Sequence, residues 1–100
     1  MKEKITVMVK NPGEAPKIRE IDNSLTQLQL IVDGYIEAVG FTDEIIIVCN
    51  EEGKLKGLSP NFYFRGDCIV GTVVFVASGE DGEFDSLDEY QIAEICKILW

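Results

Sequence analysis

Histidine is absent from this chain of 100 residues. With it go the commonest general base near neutral pH and the commonest ligand of transition metals. Positive charge is scarce: nine lysines and arginines stand against 18 aspartates and glutamates, a formal net charge of −9. A balance of that sign repels phosphate backbones, so direct nucleic-acid binding through a general basic surface is not expected. Long apolar runs are missing too. Cys68 to Ala77, the longest nearly unbroken one, is about half of the ~20 residues a spanning helix needs, so no membrane partner is read. Met1-Lys2-Glu3-Lys4 leads into alternating residues rather than an apolar block, and no signal peptide is read there. Cysteines are few and odd in number; Cys49, Cys68 and Cys96 each sit among apolar neighbours without Cys-x-x-Cys spacing. Buried free thiols in a reducing cytoplasm explain them better than a disulfide framework, a zinc ribbon or a dithiol redox site. Neither of the common glycine-rich phosphate cradles occurs, and no base stands beside a cysteine nucleophile. The chain therefore leans away from an enzyme, which stays open as a third alternative behind two binding roles, with no catalytic residue, no metal ligand and no cofactor assigned.

What is present is enough for a core. A hydrophobic share of 46% and a charged share of 27% suit one folded domain over residues 1–100. Glu3 to Val9 alternates, with Ile5, Val7 and Val9 on one side and Lys4, Thr6, Met8 and Lys10 on the other. That is the period of a half-buried strand. The turn residues Asn11 to Pro16 separate it from a second alternating run, Lys17 to Ile21, which predicts a hairpin. Lys2, Lys4, Lys10, Lys17 and Arg19 make this hairpin a lysine-rich edge. Ser24 and Gln27 have capping-box spacing ahead of Leu25, Leu28, Ile31 and Val32, a short helical stripe stopped at Gly34.

Tyr35 to Phe41 and Glu44 to Asn50 read as strands, and the continuous run Ile45 to Val48 asks for burial on both faces. A turn at Glu51-Glu52-Gly53 predicts a short returning strand over Lys54 to Leu58. Phe62 to Phe64 is either a short strand or a loop over an apolar patch. Cys68 to Ala77 reads as one strand with a bulge at Gly71. Ser86, with Glu89 at the capping-box position, predicts a closing helix to Trp100. Its wet face carries Asp88, Gln91, Glu94 and Lys97, and its buried face Ile92, Ile95, Cys96 and Leu99. The expected fold is α+β: a largely antiparallel sheet of five or six strands packed by two helices, in the order ββ-α-βββ-β-α.

Three patches carry candidate chemistry. Asp81-Gly82-Glu83-Phe84-Asp85 has the alternating acids of a calcium loop, but Ser86 replaces the required glycine and Ile92 the closing glutamate. The helix dipole alone explains carboxylates ahead of a helix. Glu80, Asp81, Glu83, Asp85, Asp88 and Glu89, followed by Glu94, form an acidic stretch with no base among them. It is either a solvated surface or a face presented to a basic partner, as in a nucleic-acid mimic. Finally, Tyr35, Glu37, Asn50, Asn61 and Arg65 are polar groups at strand ends. They offer a grip for a small anionic or nucleotide-like ligand, unless Asn50 and Asn61 only satisfy their own turns.

The segments Gly34-Tyr35-Ile36-Glu37, Val48 to Leu55, Leu58-Ser59-Pro60-Asn61 and Ile69-Val70-Gly71-Thr72 together resemble a family of small proteins described only as a domain of unknown function. The resemblance spans nearly the whole chain. It implies a source among Gram-positive bacteria, their phages and mobile elements, and an accessory or counter-defence role. It implies no catalytic residue. The leading expectation is a non-enzymatic binding or accessory protein. The alternatives are an acidic nucleic-acid-mimic inhibitor of a basic DNA-binding protein, and a protein that sequesters a small anionic ligand or nucleotide. A basic protein partner is compatible with the sequence, and so is a homo-oligomer, since Phe62 to Phe64 and Trp100 are either core or a dimer surface.

Overall fold

The computed structural model of the chain describes residues 3–99. Strands β1 (Lys4–Lys10) and β2 (Lys17–Asp22) form the expected hairpin, in antiparallel register from Lys4 opposite Asp22 to Val9 opposite Lys17. Helix α1 (Leu25–Val32) starts where Ser24 Oγ accepts from the Gln27 N–H at 3.1 Å. It stops at Asp33, which adopts the left-handed conformation with φ 62°. The stop therefore falls one residue before Gly34, because a short aspartate side chain tolerates that backbone region.

Strands β3 (Ile36–Gly40) and β4 (Ile45–Asn50) make a second hairpin. Thr42 Oγ1 closes its turn by accepting from the N–H groups of Glu44 and Ile45. β5 (Pro60–Phe64) and β6 (Asp67–Val70) pair only with each other, as a separate ribbon. β7 (Val73–Ser78) enters between β1 and β4, so the main sheet runs β2-β1-β7-β4-β3 with every pairing antiparallel. The short β8 (Phe84–Asp85) pairs with Ala77 and Ser78 of β7, past the last β1–β7 pair at Met8 and Phe75, and helix α2 (Glu89–Leu99) follows.

The sheet is covered on both faces. Ile5, Val7, Val9, Ile21, Leu28 and Val32 belong to the layer beneath α1. Phe41, Ile45, Ile47, Phe75, Leu87 and Ile95 belong to the layer beneath α2 and the β5–β6 ribbon. β4 and β7 are buried on both sides, which is why their sequences are continuously apolar. Met8, placed by alternation among wet residues, is 2% exposed, since it joins the second core layer with Phe41, Phe75 and Ile95.

Three further local expectations change, and one alternative is decided. Lys54 to Leu58 is a compact turn rather than a strand: Lys56 N–H reaches Glu52 O and Leu58 N–H reaches Gly53 O. The third strand of the middle group is β5 instead. The run from Cys68 to Ala77 is broken at Gly71, whose φ of +76° turns the chain out of the ribbon and into the main sheet. Ser86 does not cap α2; its hydroxyl accepts from the Thr6 N–H at 2.9 Å. The cap is Asp88, paired reciprocally with Gln91 through bonds of 2.8 and 2.9 Å. Phe62 and Phe64 stack on Phe75 and Phe41, with ring centroids 5.9 and 4.8 Å apart, so they are core, while Tyr63 between them points outward. Trp100 lies outside the described residues.

Candidate functional site

The five ligand candidates do not converge. Asn50, buried at the end of β4, spends its side chain on the fold. Its amide donates to the carbonyls of Val32 and Asp33 at 3.1 and 3.0 Å, and its Oδ1 accepts from the Glu52 N–H at 2.8 Å. It thereby caps α1 and shapes the turn after β4. Asn61 does the same between the end of β1 and Gly71: its amide donates to Lys10 O and Gly71 O at 2.8 and 2.7 Å, and its Oδ1 accepts from Lys10 Nζ at 2.6 Å. Arg65 sits at the tip of the ribbon with φ 50°, its guanidinium 5.0 Å from the Phe64 ring centre. Tyr35 is exposed and contributes its carbonyl to the Glu51 N–H at 2.8 Å.

Glu37 and Asn50 do share a concavity. It is a cleft of about 260 Å³ between β3, the turn after β4 and β6, with Cys49, Lys54, Asp67 and Cys68 also on its walls. Lys54 Nζ and an Asp67 carboxylate oxygen meet across it at 2.5 Å. That hydrogen bond, helped by the lysine charge, holds the Asp67 carboxyl below its ordinary range. Burial pushes the Cys49 thiol up to about 11, with the charges of Glu37 and Asp67 adding to it. Such a thiol stays protonated at neutral pH and is a poor nucleophile. Once Lys54 and Asp67 cancel, the remaining charges are those of Glu37 and Glu51, so the cleft favours a cation over an anion. Among the described residues no group of three or more cysteines and carboxylates is arranged to hold a metal ion.

The acidic stretch occupies one end of the molecule. Glu80 and Asp81 stand on a single 3-10 turn, Glu80–Gly82, where Asp81 is left-handed at φ 56°. Asp85 is in β8, and one of its carboxylate oxygens accepts from the Ser86 N–H at 2.7 Å. Asp88 caps α2 and Glu89 lies in its first turn, where the helix dipole favours a negative charge. The ion pairs among the described residues are Lys4–Asp22, Glu14–Lys17 and Lys54–Asp67. Glu80, Asp81, Glu83, Asp88, Glu89 and Glu94 take part in none of them.

The tertiary fold adds what the linear sequence did not show. Gln91 Nε2 bonds to Glu44 O at 3.4 Å, bringing the β3–β4 turn against α2. Glu44, Asp88, Tyr90, Glu94 and Ile98 then border a shallow surface groove. Tyr90 is 86% exposed, and Ile98 is also exposed. The positions 90, 94 and 98 are a helical stripe opposite Ile92, Ile95 and Leu99, so the spacing that found the buried face also contained this one.

No helix among the described residues is long and apolar enough to cross a membrane. No curated protein and no solved structure matches the chain. The chain belongs to the family described as Domain of unknown function (DUF3846), which matches residues 5–99.

Proposed function

We propose that this member of the family is a non-enzymatic binding protein that takes a basic protein partner on its acidic end, around residues 80–94 and Glu44. One observation carries the reading: among the described residues Glu80, Asp81, Glu83, Asp88, Glu89 and Glu94 take part in no ion pair, whereas Asn50 and Asn61 are committed to backbone groups. Charge left unneutralised at one end steers a positively charged surface toward it. Tyr90 and Ile98 beside it add the exposed apolar area that lasting contact needs. The narrower form of the reading is a mimic of nucleic acid that inhibits a basic DNA-binding protein. Three free thiols support a reducing cytoplasm, and the sequence resemblance supports a bacterium or its mobile element as the host. A small anionic ligand is disfavoured by Glu37 and Glu51 in the cleft.

The test is capture of bacterial proteins on immobilised chain, identified by mass spectrometry, with wild type beside Asp81→Asn/Glu83→Gln/Glu94→Gln. The side chains of these three acids make no hydrogen bond or ion pair among those described, so the variant is expected to fold. The expected result is retention of basic proteins at low salt, release at high salt, and loss in the variant. Displacement by duplex DNA supports the mimic; retention unaffected by DNA removes the mimic and leaves the broader reading. Equal capture by wild type and variant refutes both.

A further inference from the structure

The two edges of the sheet are unlike. β2 carries Lys17, Arg19 and Glu20, all exposed, the charges that keep an edge from recruiting another strand. β3, at the opposite edge, carries exposed Ala38 and Gly40, and Glu37 is its one charged residue. In the β3–β4 pair the Glu51 N–H bonds to Tyr35 O and the Phe41 N–H to Ile45 O. Odd-numbered residues of β3 therefore bond inward, and alternation turns the N–H and C=O groups of Ile36, Ala38 and Gly40 out of the sheet, where no strand meets them. The second observation is independent. Glu37 and Val39 face the ribbon side, where they form one wall of the cleft described above. Leu55 stands on the same cleft while 88% exposed, an apolar group with nothing yet to cover it.

The geometry points to β3 as a docking edge for an extended peptide segment that carries a lysine or arginine. Added next to β3, such a segment bonds through its main chain to Ile36, Ala38 and Gly40. Every second side chain then projects on the ribbon side, alongside Glu37 and Val39. One long side chain fits the cleft: its aliphatic stem lies against Val39 and Leu55, and its charge meets Glu37 and Glu51 while Lys54 is held by Asp67. Main-chain bonds supply the affinity and the acidic cleft selects the basic residue. This surface is distinct from the acidic end, and neither reading depends on the other.

The probe is the synthetic peptide acetyl-Thr-Val-Lys-Val-Thr-amide, titrated into the full chain and followed by amide NMR. The expected result is that the Ile36, Ala38 and Gly40 amides shift and gain protection from exchange. The same peptide with glutamate for lysine binds at least about tenfold more weakly, as does the lysine peptide to Glu37→Lys, the scale of a lost charge pair in a partly dry site. Ala38→Pro removes an outward N–H that the ladder does not use, so the fold tolerates it and binding is lost. If that variant fails to fold, backbone N-methylated peptides decide the same point from the ligand side. Equal binding of the lysine, glutamate and N-methylated peptides overturns the proposal, as does the absence of any shift along β3 at millimolar peptide. Dimerisation of the free chain through β3, lost in Ala38→Pro, assigns the edge to a second copy and also overturns it. Neutralising Asp81, Glu83 and Glu94 is expected to leave peptide binding unchanged, which separates this test from that of the acidic end.

Discussion

Replacing Asn50 by alanine tests whether that side chain belongs to the scaffold or to a ligand site. The substitution deletes three hydrogen bonds and strands the Val32 and Asp33 carbonyls and the Glu52 N–H near a buried position. At about 1 kcal/mol net for each bond, the expected loss is about 3 kcal/mol. That is a large part of the roughly 5–15 kcal/mol by which domains are stable. For a chain of this length it corresponds to a fall in Tm of roughly 12–24 °C. Urea unfolding followed by far-UV circular dichroism measures it, with Glu37→Gln as a control that lines the same cleft and is expected to stay near wild type. Asn50→Asp sharpens the test. It keeps the acceptor for Glu52 but sets a carboxylate oxygen against two carbonyls, so at pH 7 it is expected to be at least as destabilising as alanine. A loss below about 1 kcal/mol in Asn50→Ala would refute the structural assignment and return Asn50 to the list of ligand candidates.

Gly71→Ala forces a side chain into a left-handed backbone and sets its Cβ 2.8 Å from Leu58 Cδ1. It is expected to lose about 1–2 kcal/mol or slightly more by urea unfolding, and wild-type stability would show that the joint between β6 and β7 has another conformation. Asp67 is expected to titrate below its usual value of 3.8 because Lys54 bonds its ionised form. The linked stabilisation is present above the unfolded value and disappears as pH falls through the folded one. Carboxyl NMR titration of wild type against Lys54→Gln checks this; an unmoved Asp67 in the variant refutes the pairing.

Much of the fold is legible because local pattern and tertiary role agree. Alternation in Lys4–Lys10 and Lys17–Asp22 gives the first hairpin, the Ser24–Gln27 spacing gives the start of α1, and the continuous Ile45–Val48 run gives a strand buried on both faces. The misplacements have a common cause. Gly71 reads as a bulge because a glycine of positive φ serves a bulge and a sharp exit equally well; which it serves depends on where β7 goes next. Ser86 fits a helix cap by spacing, yet Thr6, 80 residues away, claims its hydroxyl. The candidate site divides along the same line. The bond from Glu52 to Asn50 is a local turn that residue type foretells, but the bonds from Asn50 to Val32 and Asp33 and from Asn61 to Lys10 cross the fold. Glu44 joins α2 by the same kind of long-range approach.

The placement of β7 between β1 and β4 has a consequence for synthesis. The two hairpins made earlier in the chain share no ladder until residues 73–78 arrive to join them. Emerging from a ribosome, they are two loose halves awaiting a keystone, so order is expected to come late and nearly all at once rather than stepwise. A fragment ending at residue 72 is expected to melt without a cooperative transition, and a sharp one would show that a half stands alone.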